Sequence, residues 1–238
     1  VELNTALVPC MRLSEGRRPK TYEMEVVTLC QDDRGVAKSL FRSKNEHSWI
    51  RLKTPDGDVY SFGLNPKRKV TKLRKIIRLF RADLSGVIIT PDPGEKYCRL
   101  NPEKIMSKSI PIDQKAFNFI KKMIENPLYR SQINFDLFSN NCTDFAVSLL
   151  KAASNDPEIT QSLTFKASLK SILPKWLQTL SGVIHRRLQS WRKKHSPSAS
   201  KLSNEIAYPR ALREWIKKNR TKSEIEQQIH SDKSDTKK

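Results

Sequence analysis

The apolar positions along this chain fall into alternating stretches first and helical stretches later. Residues 22–29 (YEMEVVTL) alternate and end in β-branched side chains, which predicts a strand. Residues 47–52 (HSWIRL) set His47, Trp49 and Arg51 on one face and Ser48, Ile50 and Leu52 on the other. Thr54-Pro55-Asp56-Gly57 follows as turn chemistry, and 59–64 (VYSFGL) resume the alternation, so the pair reads as a hairpin. A short apolar run at 86–90 (GVIIT) predicts a further strand, stopped by Pro91-Asp92-Pro93-Gly94.

Helical spacing appears at 70–81, where Val70, Leu73, Ile76, Ile77 and Phe80 recur. It returns at 113–125, with Ala116, Phe117, Ile120, Met123 and Ile124, ending near Asn126-Pro127. Residues 145–153 (FAVSLLKAA) are strong helix formers, for which Asn140, or Asp144 in another register, would be the cap. Beyond about 155 come an apolar, Trp-bearing segment at 172–191, a Ser/Pro linker at 196–203 and a charged helix around Leu212, Trp215 and Ile216. The expected organisation is an irregular segment at 1–20, a main domain at 21–155, a basic helical extension at 156–230 and a disordered tail at 231–238. All proposed core elements precede residue 154, so truncation after Ser203 is expected to leave a soluble protein.

Composition sharpens this picture. The 238 residues are 37% hydrophobic, below the roughly 45–50% of a typical globular chain, so part of the sequence is expected outside the core. No apolar run approaches the roughly 20 residues of a transmembrane helix, and no signal peptide is visible at the first residue, which is Val1. The chain is expected to be cytoplasmic or secreted as an effector. Lys and Arg number 45 against 25 acidic residues, for a net charge of +20, which points to an anionic partner. Residues 67–81 hold eight basic residues and no acidic one. Lys67, Arg68, Lys69, Arg74, Lys75 and Arg78 there either contact such a partner or form a solvated helix face. An acidic protein or an anionic membrane surface suits them better than nucleic acid, because no zinc finger, aromatic RNA-binding signature or Gly-rich loop occurs. The 172–194 segment docks on its own domain or lies on a membrane surface.

Four cysteines (10, 30, 98 and 142) form no CxxC, and the four His lack zinc-ligand spacing, so no metal is expected. Cys142 stands just before a helix-forming segment, where the partial positive charge of the first turn favours a thiolate. His47, on a strand beside a hairpin, is a candidate general base for it. The bland alternative is a buried Cys142 that merely packs, as do Cys10, Cys30 and Cys98.

The two segments HSWIRL…GDVYSFG and NNCTDFAVSLL resemble the permuted papain-like superfamily. That group includes lecithin:retinol acyltransferase-like proteins and PPPDE peptidases and is related to bacterial cell-wall amidases. His47 matches the His that opens a strand there; Asn141, Cys142 and Phe145 match its Asn-Cys-x-x-Phe segment; His precedes Cys, as in the permuted branch. The resemblance covers roughly 20–153. It implies an α+β fold, a small antiparallel sheet packed on helices, with Cys142 as nucleophile, His47 as base and then acid, and no cofactor. Aligning the hairpins puts Ser61 nearest the third catalytic position, a departure from the usual His, Asn, Gln or acid. Asn141 either aims its amide at the oxyanion or shapes the turn, and Asp144 stabilises the helix start. The expected activity is that of a cysteine hydrolase or acyl transferase (peptidase, amidase or esterase chemistry). The rival is a non-enzymatic basic protein that binds an anionic membrane or nucleic acid, with a structural Cys142.

Overall fold

The computed structural model describes residues 7–29, 46–67, 84–100, 102–136, 140–154, 166–168, 205–207 and 209–218, together with 186–187, 189–190 and 193–194. The strands are β1 (Met11–Arg12), β2 (Glu23–Leu29), β3 (His47–Lys53), β4 (Asp58–Pro66), β5 (Leu84–Ile89), β6 (Ile105–Pro111) and β7 (Asn134–Phe135). They form one antiparallel sheet in the order β6-β2-β3-β4-β5-β7, with β1 paired to β4. The helices are α1 (Gly94–Leu100), α2 (Gln114–Glu125), α3 (Pro127–Gln132), α4 (Cys142–Ala153) and α5 (Pro209–Lys218). The architecture is therefore α+β, a small antiparallel sheet with helices packed on it.

The expected hairpin is present. Gly57 has φ +90 and its N–H donates to the Thr54 carbonyl at 2.9 Å, so the turn needs the one residue without a Cβ. Strand β2 is the centre of the sheet's first half, and it is buried on both faces. Met24 and Val26 join Ile50, Leu52, Phe62 and Leu64 in the main core, which α2 and α4 cover through Phe117, Ile120, Ile124, Phe145, Ala146 and Leu150. Val27, Leu29 and Trp49 form a second, smaller cluster on the opposite face, with Cys98 of α1 against it. The alternation in β2 thus separates two buried environments rather than core from water.

Three departures from expectation have plain causes. Strand β6 pairs with β2 along its whole length, Glu23↔Pro111 to Leu29↔Ile105. Its sequence, IMSKSIP, hides it because five of its seven residues are only half-buried, so no strong apolar face is required. Residues near the N-terminus are not wholly irregular: Leu7 is in the main core and β1 pairs Met11 with Val59. Nor does the core end at residue 153. Helix α5 packs on β2 and β6 and buries Leu212, Trp215 and Ile216 in the main core. Its charged face outweighs its apolar face in composition, but a narrow stripe suffices for docking. A second pair of strands, β8 (Lys166–Ser168) and β9 (Glu205–Ala207), joins the chain on either side of the Trp-bearing segment. The 70–81 helix, most of the 172–194 segment, Cys30 and every residue of the basic group except Lys67 lie outside the described residues. Among the described residues no helix is long and apolar enough to cross a membrane.

A polar cluster is buried on the face opposite the main core. The Arg51 guanidinium donates to Glu95 through Nε and a terminal nitrogen, both at 2.7 Å, and to Glu25 at 3.2 Å. Lys53 lies 3.3 Å from Glu25 and donates to Ser109 at 3.0 Å. Burial raises the Glu25 carboxyl, but Lys53 and Arg51 overcome this and hold it at about 2.

The docking of α5 is directly measurable. Trp215→Ala is expected to cost about 3–5 kcal/mol in urea denaturation, and a chain ending at Ala207 should unfold earlier or aggregate. An unchanged denaturation midpoint for that shortened chain would make α5 an accessory rather than part of the core.

Candidate active site

Strands β3 and β4 pair only from Ile50↔Phe62 to Lys53↔Val59; from Gly63 onward β4 turns to pair with β5. The two strands therefore part beside His47, Ser48 and Trp49. The start of α4 sits at that parting. Ser48 Oγ and Thr143 Oγ1 are 3.2 Å apart, both buried, and tie strand to helix. The helix start is set by a capping box. Asn141 Oδ1 accepts the Thr143 N–H at 2.8 Å and the Asp144 N–H at 3.1 Å, while Asp144 Oδ2 accepts the Asn141 N–H at 3.2 Å. The cap is thus Asn141, not Asn140, and Asp144 completes it from within. Cys142 is consequently the first helical residue, where the partial positive charge of the helix start favours a thiolate.

The structure brings Cys142 and His47 together. Burial raises the pKa of the thiol. The charge and hydrogen bond of His47, the Ser48 backbone N–H and the Thr143 hydroxyl together outweigh it, so the thiol lies below its ordinary value. The imidazole moves the other way. Burial lowers it, but the Asp92 carboxylate and the Cys142 thiolate raise it to about 10. The two shifts together favour a thiolate–imidazolium pair.

The imidazole's partner is Asp92, which lies in the Pro91-Asp92-Pro93-Gly94 turn that ends the strand. His47 Nε2–H donates to Asp92 Oδ2 at 2.9 Å, leaving Nδ1 as the ring nitrogen for the thiol. Asp92 Oδ2 also accepts from Asn65 Nδ2 at 3.3 Å, and Oδ1 accepts the Gly94 N–H at 2.7 Å. Ser61, the expected orienter, has a different partner: its buried Oγ accepts the Asp92 backbone N–H at 3.4 Å. It supports the residue that orients the imidazole. The hairpin register places Ser61 opposite Arg51, four residues along β3 from His47.

Two glycines make room for this carboxylate. A Cβ on Gly63 would run into Asp92 Oδ2 and lie 3.0 Å from the Trp49 Cβ. One on Gly94 would lie 2.8 Å from Trp49 Cζ3 and 2.9 Å from Asp92 Oδ1. Trp49 itself is fully buried and stacks on His47, with centroids 5.8 Å apart and planes at 18°. The His47 side chain keeps 16% of its surface exposed while that of Asp92 has none, so the imidazole edge meets solvent and the carboxylate does not.

The remaining expected residues are placed as follows. Asn141 is spent on the cap through its carbonyl oxygen. Lys67 is exposed, and its backbone N–H donates to the Ser85 carbonyl at 2.8 Å. Cys98 lies on α1 against the smaller cluster, where burial pushes its thiol up to about 12 despite the nearby Arg51. Among the described residues no group of three or more His, Cys, Asp or Glu could hold a metal ion. No known family, curated protein or solved structure matches this chain.

The opposed shifts predict selective chemistry. At pH 6 iodoacetamide should alkylate Cys142 well before Cys10 or Cys98, read by peptide mass spectrometry. Asp92→Asn should slow that reaction, because a neutral amide no longer favours the imidazolium. Gly63→Ala should do the same by displacing the carboxylate. Equal rates at all three thiols would remove the case for an activated Cys142.

Proposed function

We propose that this chain is a cysteine-dependent acyl hydrolase or acyl transferase of permuted papain-like type, with Cys142 as nucleophile, His47 as base and acid, and Asp92 as the residue that orients His47. The observation that carries this reading is the connected line of Asp92 carboxylate, His47 imidazole and Cys142 thiol, with the thiol on the first turn of a helix. A structural cysteine needs no buried carboxylate behind its neighbouring imidazole. The order of His before Cys, the strand that His47 opens and the packing of α4 on the hairpin also fit the permuted branch.

The chemistry follows from the groups present. The Cys142 thiolate attacks a carbonyl carbon, and the resulting oxyanion lies near the Cys142 backbone N–H at the start of α4. The imidazolium transfers its proton to the departing amine or alkoxide as the carbon–heteroatom bond breaks, leaving a thioester on Cys142. Neutral His47 then takes a proton from the incoming water or acceptor alcohol, and collapse of the second tetrahedral intermediate returns the thiolate and imidazolium. Asp92 stays ionised throughout and keeps Nε2–H fixed. The net charge of +20 favours acidic proteins or anionic membrane surfaces as the setting for the substrate.

An activated thioester or p-nitrophenyl ester supplies the test. The acyl group should appear on Cys142 as a mass increment that turns over slowly with water. Cys142→Ala should abolish it, and Asp92→Asn should slow acylation by about 10²–10⁴-fold. The pH profile should be bell-shaped. Its acid limb rises as Cys142 ionises below the usual thiol range, and its alkaline limb falls as His47 loses its proton near pH 10. A chain with a reactive Cys142 but no acyl intermediate from any ester, thioester or amide would favour the non-enzymatic alternative.

A further inference from the structure

The polar cluster behind the site has a feature that sheet stability alone does not require. Glu95 is connected to both groups that flank the imidazole. Its Oε1 accepts from the Trp49 indole N–H at 2.7 Å, and its backbone N–H donates to the Asp92 carbonyl at 3.0 Å. The carboxylate is itself clamped by Arg51 through two bonds of 2.7 Å, one to each oxygen. The indole so held lies nearly parallel to the His47 ring.

Resting on the proposed acyl-transfer role, we infer that Arg51, Glu95 and Trp49 form a positioning chain for His47, in which the anchored indole fixes the imidazole plane and favours its protonated form. An imidazole hinged only by one bond to Asp92 can swing about that bond and carry Nδ1 away from the thiol. A parallel ring on its flank removes that freedom. The electron-rich indole face also attracts a cation, and the attraction strengthens where water is excluded. Trp49 has no solvent exposure, so this attraction acts where water is scarce, on an indole that also carries the Arg51 guanidinium 6.0 Å from its centroid. The indole would be free to tilt without its N–H anchor, and Glu95 can supply that anchor only because Arg51 neutralises it. The charged and titratable groups around His47 are Asp92 from the loop after β5, Cys142 from α4, Glu95 from α1, Arg51 on its own strand and Glu25 from β2. Arg51, together with Lys53 on the same strand, balances the two glutamates. The indole is left as the neutral surface that sets the ring's orientation.

This predicts an effect on the pH profile, not only on stability. Trp49→Phe keeps an aromatic ring but loses the anchoring bond. Alkylation of its Cys142 by iodoacetamide at pH 6 should be roughly tenfold slower than in the wild type, and the acid limb should move to higher pH. Glu95→Gln, which keeps an oxygen for the indole N–H but loses the clamp from Arg51, should show a smaller shift in the same direction. Ile216→Ala in α5 serves as the control, since it lowers stability far from the site and should leave the profile unchanged. The inference is overturned by an unshifted profile in Trp49→Phe, or by an equal shift in Ile216→Ala. If Trp49→Phe does not fold, as judged by near-ultraviolet circular dichroism, Glu95→Gln decides, and an unshifted profile there overturns it. A wild-type Cys142 that already titrates like a free thiol would instead sink the acyl-transfer reading itself.

Discussion

Taking a carboxylate out of water costs several kcal/mol unless protein donors replace the solvent it loses. The Asp92 side chain has no exposed surface, and much of the site can be understood as the replacement of its water. Gly94 offers a backbone N–H, Asn65 an amide and His47 a ring N–H. The two glycines beside it are small because a Cβ would occupy the carboxylate's place. Ser61 accepts its backbone N–H, so the hydroxyl on β4 holds the carboxylate's loop rather than the imidazole. The requirement reaches outward to Trp49, packed against Gly94, and through Glu95 to Arg51. A buried negative charge thus organises two strands, one loop and the start of one helix.

How much of this was legible in the sequence depended on whether a signal was local. The hairpin was readable because its turn residues and its period-two alternation lie side by side. Cys142 and His47 were readable because a thiol at a helix start and an imidazole at a strand start each carry a short signature. Asp92 was not, since Thr-Pro-Asp-Pro-Gly reads as punctuation, and an acid between two prolines is the usual content of a turn. The sign that could have found it is the pair of glycines, at 63 and 94, on separate segments, whose common reason is the space between them. That reason exists only in three dimensions.

The same distinction separates the elements at the two ends. Strand β6 offers mostly half-buried positions, and helix α5 is strongly amphipathic but highly charged, with its buried residues confined to a three-residue stripe. Neither would hold together alone, and each takes its form from β2. The cap of α4 failed by a single residue for a related reason. Asn140 and Asn141 are chemically equivalent as caps, and the choice between them is made by a bridge that pairs Asn140 with Asp136. The sequence offers Asn140 or Asp144 as the cap, and the structure uses Asn141, with Asp144 completing the box from within the helix.

The capping box at the head of α4 has a consequence for anyone who would redesign this molecule. Asn141 and Asp144 enclose Cys142 between them, so the hydrogen bonds that begin the helix are the same ones that aim the thiol. Helix integrity and reagent placement cannot be tuned independently there. A library that varies the residues around the thiol in search of new reactivity would mostly harvest frayed helices. The productive variation lies across the gap, on the strands that face the thiol, where side chains can change while the helix keeps its beginning.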